Sequence, residues 1–453
     1  MDIAELIVAQ RAYFDTGATR PVAARRAALL KLRAALLENE GKIAAALRAD
    51  LNKSPFETYM AETGIVLDEI RFHLRHLEKW AGSRKVRTPL AQFPARSFIL
   101  PEPRGVALIV APWNYPLQLC LEPLVGALSA GCCAVVKPSA YAPAASRLVA
   151  EILGGAFPPG YVAVVEGGRS ENRALFAQKF DAIFFTGSVA VGKEVMAAAA
   201  VHLTPVTLEL GGKSPVIVDG TADIPLAARR VAFGKLLNAG QTCVAPDYVL
   251  VDRRVEEAFL TAYEKAVRAF YPEGFQDFPV IVNEKHFDRV AGLLKSGGVR
   301  MGGETDPARR FVAPTLLTGV SPEDPVMREE IFAPVLPVLT YGTLDEAVAF
   351  VNAREKPLAL YLFTADAAAE KTVLSRCSFG GGCVNDTVVH VASSRLPFGG
   401  VGASGMGAYH GKSSFDTFTH YKSIVKKAGR RDLPLRYPPY TERNFRRLKQ
   451  FLR

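Results

Sequence analysis

Apolar and polar residues are arranged in two different patterns along the chain. In residues 22–50 and 55–81, Ala, Leu and Ile recur at helical spacing among Arg and Lys, which predicts amphipathic surface helices. From about residue 104, short apolar runs are separated by helical stretches. The runs occupy 106–110, 134–136, 162–165 and 182–185, and the helical stretches 117–130, 143–153, 170–178 and 189–200. This alternation predicts β-α-β units, a parallel sheet and therefore an α/β fold.

The same alternation resumes after Thr207. Strands are predicted near 215–218 and 247–251, and helices near 223–237 and 254–269. Gly211-Gly212 lies between the two series and is a candidate domain junction. Residues 84–101 and the region beyond about 413 fall outside the alternation. Because strands there would need a partner to cover their edges, we expect them to form a subunit contact.

The length and charge of the chain narrow the possible functions. At 453 residues it is long enough for two or three domains. Its 55 Lys and Arg against 45 Asp and Glu give a formal charge of +10. Residues 421–453 contain 11 of the basic and 2 of the acidic residues, so residues 1–420 are nearly neutral. A globular nucleic-acid-binding protein would carry a basic face on its fold, so we expect no nucleic-acid partner.

Cysteine usage and targeting signals point to a cytoplasmic protein. Six cysteines are too few for a disulfide framework in a chain of this length, and no CxxC pair indicates a metal, so we predict no metal site. The first ten residues contain acids where a secretory signal needs basic residues. No run of about 18 apolar residues occurs that would predict a transmembrane helix.

Cys243 is the best candidate for a reactive cysteine. It lies in the polar segment 238–246, bounded by Gly and Pro, where a side chain can face a cleft. A lone Cys is more often a small buried hydrophobe, and the other cysteines fit that description better. A thiolate nucleophile needs a group that lowers its pKa or a base nearby. None of the seven histidines has a local Cys-protease signature, so a Cys-His hydrolase has little support.

Three other polar residues follow predicted strands. Glu209 ends the apolar stretch before Gly211, where a general base could face a loop, although most such carboxylates are solvated or paired. Asn114 lies in a turn fixed by two prolines and could donate a hydrogen bond to a developing oxyanion. Lys137 ends a strand, where ligands bind in open α/β sheets, so it is a candidate ribose or phosphate contact. A solvated lysine is the alternative.

The segment 185–192 follows a strand and opens a helix. Gly187 and Gly192 would allow a phosphate to approach the backbone amides, and the helix N-terminus favours its negative charge. Two glycines, however, fall short of the three in the common dinucleotide fingerprint. A plain strand-to-helix turn explains the segment equally well.

Seven motifs occur in one order along the chain. They are Pro112-Trp-Asn-Tyr-Pro116, Val136-Lys-Pro-Ser139, Phe185-Thr-Gly-Ser188, Leu208-Glu-Leu-Gly-Gly-Lys213, Gly240-Gln-Thr-Cys243, Glu329-Glu-Ile-Phe-Ala-Pro334 and Leu396-Pro-Phe-Gly-Gly-Val-Gly402. Together they resemble the aldehyde dehydrogenase superfamily over about residues 5–425. The run 399–411 and the segment 415–420 are similar to the class 3 branch, which oxidises fatty and aromatic aldehydes.

The resemblance implies a Rossmann-like cofactor domain, an α/β catalytic domain and a small bridging β segment. The implied boundaries are 1–83 and 102–209 for the NAD(P)-binding domain, 210–395 for the catalytic domain, 84–101 and 413–430 for the bridging segments and 431–453 for a basic tail. The class 3 branch is typically dimeric, so we expect a homodimer.

The resemblance also implies roles for individual residues. Cys243 would be the nucleophile, Glu209 the general base, and Asn114 with the Cys243 amide the oxyanion hole. The implied cofactor-binding residues are Trp113, Lys137, Gly187, Ser188, Gly192, Glu330 and Phe332. The substrate would be a small-molecule aldehyde, aliphatic or aromatic. NAD or NADP would accept a hydride, and the thioester left on Cys243 would be hydrolysed to a carboxylic acid.

Two positions depart from the family pattern. Ala140 follows the Lys-Pro motif at the place where many NAD-preferring relatives carry Glu. Because a carboxylate there would repel a 2′-phosphate, we predict that NADP is used at least as well as NAD. Ala333 replaces the usual Gly, and its methyl group is expected to shift Phe332 slightly.

Other functions remain open within and outside this superfamily. A CoA-acylating or semialdehyde-specific dehydrogenase is one alternative, although Glu209 favours hydrolysis of the thioester over transfer to CoA. A catalytically silent structural or binding protein is another, and intact Cys243, Glu209 and Asn114 argue against it.

The last ten residues form a candidate amphipathic helix. One helical face carries Phe445, Leu448, Phe451 and Leu452, and the other Arg446, Arg447, Lys449 and Arg453. Such a helix could lie on an anionic membrane surface or pack near the substrate entrance, and we favour the second reading.

Overall fold

The computed structural model describes residues 2–92, 94–427, 429 and 434–451. Its α-helices are α1 Ile3–Asp15, α2 Val22–Glu38, α3 Glu40–Leu51, α4 Pro55–Thr58, α5 Gly64–Ala81, α6 Gln118–Ala130, α7 Pro143–Ala156, α8 Arg169–Phe176, α9 Val189–Ala200, α10 Ile224–Leu236, α11 Glu256–Phe270, α12 Glu284–Leu293, α13 Pro325–Arg328, α14 Leu344–Asn352, α15 Ala367–Arg376, α16 Lys412–Thr417 and α17 Glu442–Phe451. Its strands are β1 Arg84–Val86, β2 Ala95–Pro103, β3 Val106–Val110, β4 Cys133–Lys137, β5 Val162–Val164, β6 Ala182–Gly187, β7 Val206–Leu210, β8 Pro215–Val218, β9 Tyr248–Asp252, β10 Gly298–Met301, β11 Thr305–Asp306, β12 Phe311–Val312, β13 Thr315–Thr318, β14 Val335–Tyr341, β15 Ala359–Phe363, β16 Gly381–Val384, β17 Gly405–Met406 and β18 Thr419–Lys427.

The first sheet has six strands in the order β17-β7-β6-β3-β4-β5. Strands β3 to β7 run parallel, as the alternating pattern predicts, and every residue of β3 and β4 is buried. Strand β17 is antiparallel to β7 and places Gly405 opposite Glu209. The sequence pattern gives no sign of this contact, because only two residues form the strand.

The second sheet has seven strands in the order β10-β13-β14-β9-β8-β15-β16. All neighbours are parallel except the β10-β13 pair at one edge. Gly211-Gly212 lies on the chain between β7 of the first sheet and β8 of the second. The predicted α/β fold with parallel sheets is therefore confirmed.

A third sheet contains the two regions that fall outside the alternation. Strand β2 pairs with β18 in antiparallel register from Ala95 opposite Lys427 to Pro103 opposite Thr419, and β1 pairs with the other side of β2. Each region therefore covers one strand edge of the other within a single chain. The outer edge of β18 carries largely exposed residues.

The N-terminal region differs in detail from the two predicted helical blocks. Helix α1 precedes both blocks and was not predicted. The block 22–50 forms two helices, α2 and α3, which meet at Asn39, a residue type that favours helix ends. The block 55–81 contains α4, a π-helical turn over Tyr59–Thr63, and α5. Gly64 follows the π turn, where an added Cβ would lie 2.7 Å from the Tyr59 carbonyl oxygen.

The C-terminal helix α17 forms where the sequence predicts one. Phe445 is 49% exposed and Leu448 41% exposed. The side chain of Phe451 and residues Leu452 and Arg453, which the prediction also assigned to the two faces, lie outside the described residues. Within the described part of the chain, no helix combines the length and hydrophobicity required to cross a bilayer.

Candidate active site

Cys243 lies where two cavities meet. One, which we call the apolar cavity, has a volume of about 200 Å³ and includes Met60, Ile65, Phe233, Leu237, Val388 and Val391 in its lining. The other, the polar cleft, has a volume of about 540 Å³ and includes Trp113, Asn114, Thr186, Glu209, Glu330 and Phe332. Cys243, Phe398 and Tyr409 line both. The thiol can therefore be approached from an apolar side and from a polar side.

The loop before Cys243 has an unusual backbone conformation. Asn238, Ala239 and Gly240 have φ angles of +52°, +52° and +72°, in the left-handed region. This conformation costs on the order of 1–3 kcal/mol for each residue with a Cβ. At Gly240 an added Cβ would lie 2.3 Å from the Ala333 carbonyl oxygen, so only glycine fits there. The loop that carries Cys243 is therefore strained and must be held by its surroundings.

Gln241 holds this loop to its surroundings. Its side-chain NH₂ group donates to the carbonyl oxygens of Asn238 at 3.1 Å and Val280 at 3.0 Å, and its side-chain oxygen accepts from the backbone N–H of Val282 at 3.1 Å. The side chain is fully buried. Within the Gly-Gln-Thr-Cys motif, Gln241 therefore positions the loop and does not face the substrate.

Asn114 lies beside the same loop. Its side-chain Nδ2 donates to the Gln241 carbonyl oxygen at 2.9 Å, and it lines the polar cleft together with Cys243. An amide NH₂ group has two donor hydrogens, so one remains for a ligand. The Tyr115 hydroxyl forms a further hydrogen bond between the two segments, 2.5 Å long, with Thr242 Oγ1. The structure thus brings Asn114 and Cys243 together, as the proposed oxyanion hole requires.

Glu209 lies on β7, lines the polar cleft and is 3% exposed. Both carboxyl oxygens are buried without a hydrogen-bond partner among the described residues. Burial raises the pKa of Glu209 well above its ordinary value, because the charged form loses its hydration. An unpaired carboxyl with a raised pKa in a cleft is suited to accept a proton from water.

The charges around Cys243 do not activate its thiol. Burial raises the pKa of Cys243, and the carboxylates of Glu330 and Glu209 raise it further, while the backbone N–H groups of Cys243 and Val244 oppose the rise. A thiolate nucleophile needs either a group that lowers its pKa or a base nearby, and these carboxylates act against the first of these. The thiol must therefore transfer its proton to an acceptor, or have its pKa lowered when a positively charged group binds in the cleft.

The polar cleft has the features needed to hold a dinucleotide. Ser188, Val189 and Ala190 at the N-terminus of α9 line it, and the first N–H groups of a helix lack acceptors within the helix. Glu330 Oε1 and Thr186 Oγ1 are buried without a partner among the described residues. A pyrophosphate at the helix end and ribose hydroxyls at Glu330 would satisfy these groups.

Aromatic rings form one wall of the cleft. Trp113 meets Phe332 edge-on, with ring centroids 5.4 Å apart, and lies 5.5 Å from the ring of His286. Phe332 has a φ of +51°, and Arg289 supports this segment by donating to the Ile331 carbonyl oxygen at 2.7 Å. Sequence reasoning predicted Trp113 and Phe332 but missed His286 and Arg289, which lie outside the quoted motifs.

Glu330 is fixed by a buried charge network. Lys213 forms an ion pair with Asp247 and donates to the Glu329 carbonyl oxygen at 2.8 Å, while Asp247 Oδ2 accepts from the backbone N–H of Ile331 at 2.9 Å. Burial, with a contribution from Asp247, raises the pKa of Glu330 to about 8. At Gly211, an added Cβ would lie 2.1 Å from Glu330 Oε2. The glycine therefore allows the carboxyl to lie against the backbone.

The glycines of the segment 185–192 lie against bulky side chains, and their predicted role in phosphate binding stays a prediction. An added Cβ would lie 2.6 Å from the Phe185 ring at Gly187 and 2.8 Å from Leu210 at Gly192. Gly192 therefore allows α9 to pack closely on β7, and Gly187, at the end of β6, leaves room for the Phe185 ring. A phosphate at this helix end would contact Ser188 and the N–H groups of Val189 and Ala190.

Lys137 is committed to backbone contacts. It is 2% exposed, and its Nζ donates to the carbonyl oxygens of Pro138 at 2.8 Å and Gly167 at 2.7 Å. It is absent from the residues that line the polar cleft in the described part of the chain. Its contact with a ribose stays a prediction.

Phe398 and Tyr409 are site residues for which the sequence analysis gave no role. They exchange backbone hydrogen bonds of 3.0 and 2.8 Å and line both cavities beside Cys243. Both lie in quoted motifs, so the motifs pointed to the right segments without indicating what they contact.

No group of three or more His, Cys, Asp or Glu residues with the arrangement of a metal site occurs among the described residues.

Comparisons with known proteins identify the family. The aldehyde dehydrogenase family model matches residues 1–424. The chain is 48% identical over 448 residues to 4,4'-diaponeurosporen-aldehyde dehydrogenase of Staphylococcus aureus (strain NCTC 8325 / PS 47), covering 98% of this chain and 97% of the relative. It is 48% identical over 443 residues to aldehyde dehydrogenase family 3 member B1 of Homo sapiens, covering 97% and 95%.

Solved structures agree with this assignment. The substrate-bound state of Staphylococcus aureus AldH superposes with a TM-score of 0.98 at 47% identity, covering 100% of both chains. An NAD-dependent aldehyde dehydrogenase from Sinorhizobium meliloti superposes with a TM-score of 0.87 at 29% identity, covering 97% of this chain and 88% of the other. The chain therefore belongs to the aldehyde dehydrogenase family, on the class 3 branch that its sequence motifs indicate.

Proposed function

We propose that the protein oxidises an apolar aldehyde to the carboxylic acid with NAD or NADP, through a thioester on Cys243. The observation that supports this most directly is the position of Cys243 between the apolar cavity and the polar cleft. The apolar cavity would take the hydrocarbon part of the aldehyde, and the polar cleft the cofactor. The intact nucleophile, base and amide also argue against a catalytically silent protein.

In the first half of the reaction, the Cys243 thiol loses its proton to water, and the thiolate Sγ bonds to the carbonyl carbon of the aldehyde. The carbonyl oxygen gains negative charge and accepts hydrogen bonds from the free Nδ2–H of Asn114 and the backbone N–H of Cys243. NAD or NADP, when bound, supplies the hydride acceptor. Loss of the hydride from the substrate carbon leaves a thioester on Cys243.

In the second half, water hydrolyses the thioester. Glu209 takes a proton from the water, whose oxygen bonds to the thioester carbon, and the carbon–sulfur bond breaks. The products are a carboxylic acid and the free thiolate. Because the unpaired carboxyl of Glu209 faces the same cleft as Cys243, hydrolysis is favoured over transfer of the acyl group to CoA.

The lining of the cleft supports a set of side chains that would hold the cofactor. Ser188 and the first N–H groups of α9 would bind the pyrophosphate, and Glu330 the nicotinamide ribose. Trp113 and Phe332 would pack against the nicotinamide ring. The family resemblance also assigns Lys137 to the adenosine ribose, and one of its three N–H donors has no acceptor among the described residues.

The function is tested with a panel of aliphatic, aromatic and semialdehyde substrates. NAD(P)H formation is followed at 340 nm, and the products are analysed with and without CoA. We expect carboxylic acid as the product under both conditions and the highest kcat/KM for apolar aldehydes. The relative named 4,4'-diaponeurosporen-aldehyde dehydrogenase supports including that aldehyde in the panel. Acyl-CoA as the main product would favour the CoA-acylating alternative.

Cofactor preference depends on Ala140, which is exposed after the Lys-Pro motif. We expect kcat/KM with NADP to equal or exceed that with NAD, because no carboxylate repels the 2′-phosphate at this position. Ala140→Glu should lower kcat/KM for NADP by at least about tenfold and change that for NAD little. Ala140→Gln, with similar size and no charge, is the control. A strong NAD preference of the unchanged enzyme would contradict this prediction.

We also propose a homodimer formed through the third sheet, where β18 presents a strand edge with exposed Tyr421 and Val425. An uncovered strand edge favours pairing with another chain. Light scattering after size-exclusion chromatography should give about twice the chain mass of 49.0 kDa. Val425→Pro, which removes an N–H from the edge, should shift the protein toward monomer, and a monomeric unchanged protein would contradict the proposal.

The basic tail is proposed to contact an anionic membrane surface. Phe445 and Leu448 are exposed on α17, which supports this reading over packing against the protein's own surface near the substrate entrance. Sedimentation with anionic liposomes should bring down the full chain, and less of a chain that ends at about Pro439. Equal sedimentation of both would exclude the tail as the contact.

A further inference from the structure

The segment from Lys53 to Glu62 contacts the turn that carries Asn114. The side chains of Lys53 and Glu62 are fully buried and form an ion pair of 2.6 Å. Lys53 Nζ also donates to the Asn114 carbonyl oxygen at 2.8 Å and lies 4.1 Å from the ring centroid of Tyr115. Glu62 Oε2 accepts from the backbone N–H of Leu117 at 2.9 Å. This ion pair therefore holds the backbone at Asn114 and again three residues after it.

A second carboxylate of the segment contacts the loop that carries Cys243. Glu57 Oε1 accepts from the backbone N–H of Asn238 at 2.7 Å. Glu57 is itself placed by Ser54, which caps α4 and accepts from the Glu57 N–H at 3.1 Å. Asn238 in turn donates through Nδ2 to the Asn114 carbonyl oxygen at 2.7 Å. The two loops and the segment thus form one connected network.

The contact of Glu57 falls at the start of the strained turn. Asn238 is the first of the three residues with left-handed φ, a conformation that Asn tolerates and that the side chain of Ala239 disfavours. Such a turn persists only if its surroundings hold it. A hydrogen bond from a backbone N–H to a carboxylate is stronger than one to a neutral acceptor, so Glu57 is well suited to this task.

We propose that Glu57 is a positioning residue for catalysis: by holding the Asn238 N–H, it keeps the turn before Cys243 in the conformation that sets the thiol beside the Asn114 amide. The inference rests on the proposed role of Cys243 as nucleophile. Lys53 and Glu62 hold the opposite side of this geometry. Glu57 itself is absent from the linings of both cavities in the described residues, so it acts through the loop.

The first test compares Glu57→Ala with Glu57→Gln. The Ala variant should lower kcat by about tenfold or more, because a small displacement of a reacting group has a large effect on rate, while KM for cofactor and aldehyde changes by less than about threefold. The Gln variant keeps a carbonyl acceptor and should stay within about threefold of the unchanged enzyme. Glu38→Ala, on an exposed helix end, is the matched control.

Two further measurements do not depend on turnover. Hydrogen exchange of the Asn238 amide should be faster in Glu57→Ala and unchanged in Glu57→Gln. The rate of alkylation of Cys243 by iodoacetamide should change at least about threefold in Glu57→Ala only. Adding Ala239→Gly, which removes the penalty of a left-handed φ, should restore part of the kcat lost in Glu57→Ala.

The outcomes separate this inference from the proposed function. If Glu57→Ala keeps the kcat, exchange and alkylation rates of the unchanged enzyme, the inference is overturned. It is also overturned if Glu57→Ala only lowers the melting temperature, with faster exchange throughout the protein and no rescue by Ala239→Gly. If Cys243 were not the nucleophile, the exchange and alkylation changes in Glu57→Ala would remain while kcat would not follow them.

Discussion

Replacement of Cys243 by Ser should lower kcat by at least about a thousandfold, because a hydroxyl holds its proton far more tightly than a thiol and is a far weaker nucleophile. The measurement is steady-state NAD(P)H formation with an apolar aldehyde, combined with mass spectrometry of the quenched enzyme. The unchanged enzyme should show an acyl group on the peptide that contains Cys243, and the variant should show none.

Cys383→Ser is the matched control for this experiment. Cys383 is half-buried, like Cys243, but it lies on β16, and it is absent from the linings of both cavities within the described residues. We expect its replacement to leave kcat within about twofold. Substantial NAD(P)H formation by the Cys243 variant would remove the thiol from the mechanism.

The second large effect is expected for Glu209→Gln. The amide has nearly the same shape but does not accept a proton from water, so kcat should fall by about 10²–10⁴-fold. Hydride transfer precedes the step that needs Glu209. Rapid mixing should therefore give a burst of about one equivalent of NAD(P)H, followed by slow turnover, and the acyl enzyme should accumulate.

Glu194→Gln, on the exposed side of α9, is the control for loss of a carboxylate. It should show the turnover and the pre-steady-state trace of the unchanged enzyme. If Glu209→Gln showed neither a burst nor an acyl enzyme, Glu209 would act in the first half of the reaction and not in hydrolysis.

The pH dependence of kcat gives an independent check on Glu209. Hydrolysis needs the carboxylate form, so kcat should fall as the pH drops through the pKa of Glu209. Because burial raises this pKa well above its ordinary value, the fall should begin at a higher pH than for a solvated Glu. In Glu209→Gln, this fall of kcat at low pH should be absent. If kcat of the variant falls over the same pH range, the titrating group is another residue.

Much of the fold could be predicted from the sequence because its signals are local. The apolar runs at 106–110 and 182–185 became β3 and β6, and the helical spacing at 189–200 became α9. Motif order also predicted the family, because each motif combines residue types that the chemistry requires. The helix break at Asn39 and the two-residue strand β17 were not predicted, because such short features produce no periodic pattern of apolar residues.

The sequence by itself determined the α/β alternation, the family, and which residues are candidates for the nucleophile, base and oxyanion donor. Tertiary structure alone decided the pairing of β2 with β18, the meeting of the two cavities at Cys243, the burial that leaves Glu209 unpaired and the contact of Glu57 with the strained turn. The physical reason is distance along the chain. Periodicity and motifs record what a residue does with its near neighbours, whereas dielectric environment, cavity shape and loop strain depend on segments that meet only after folding.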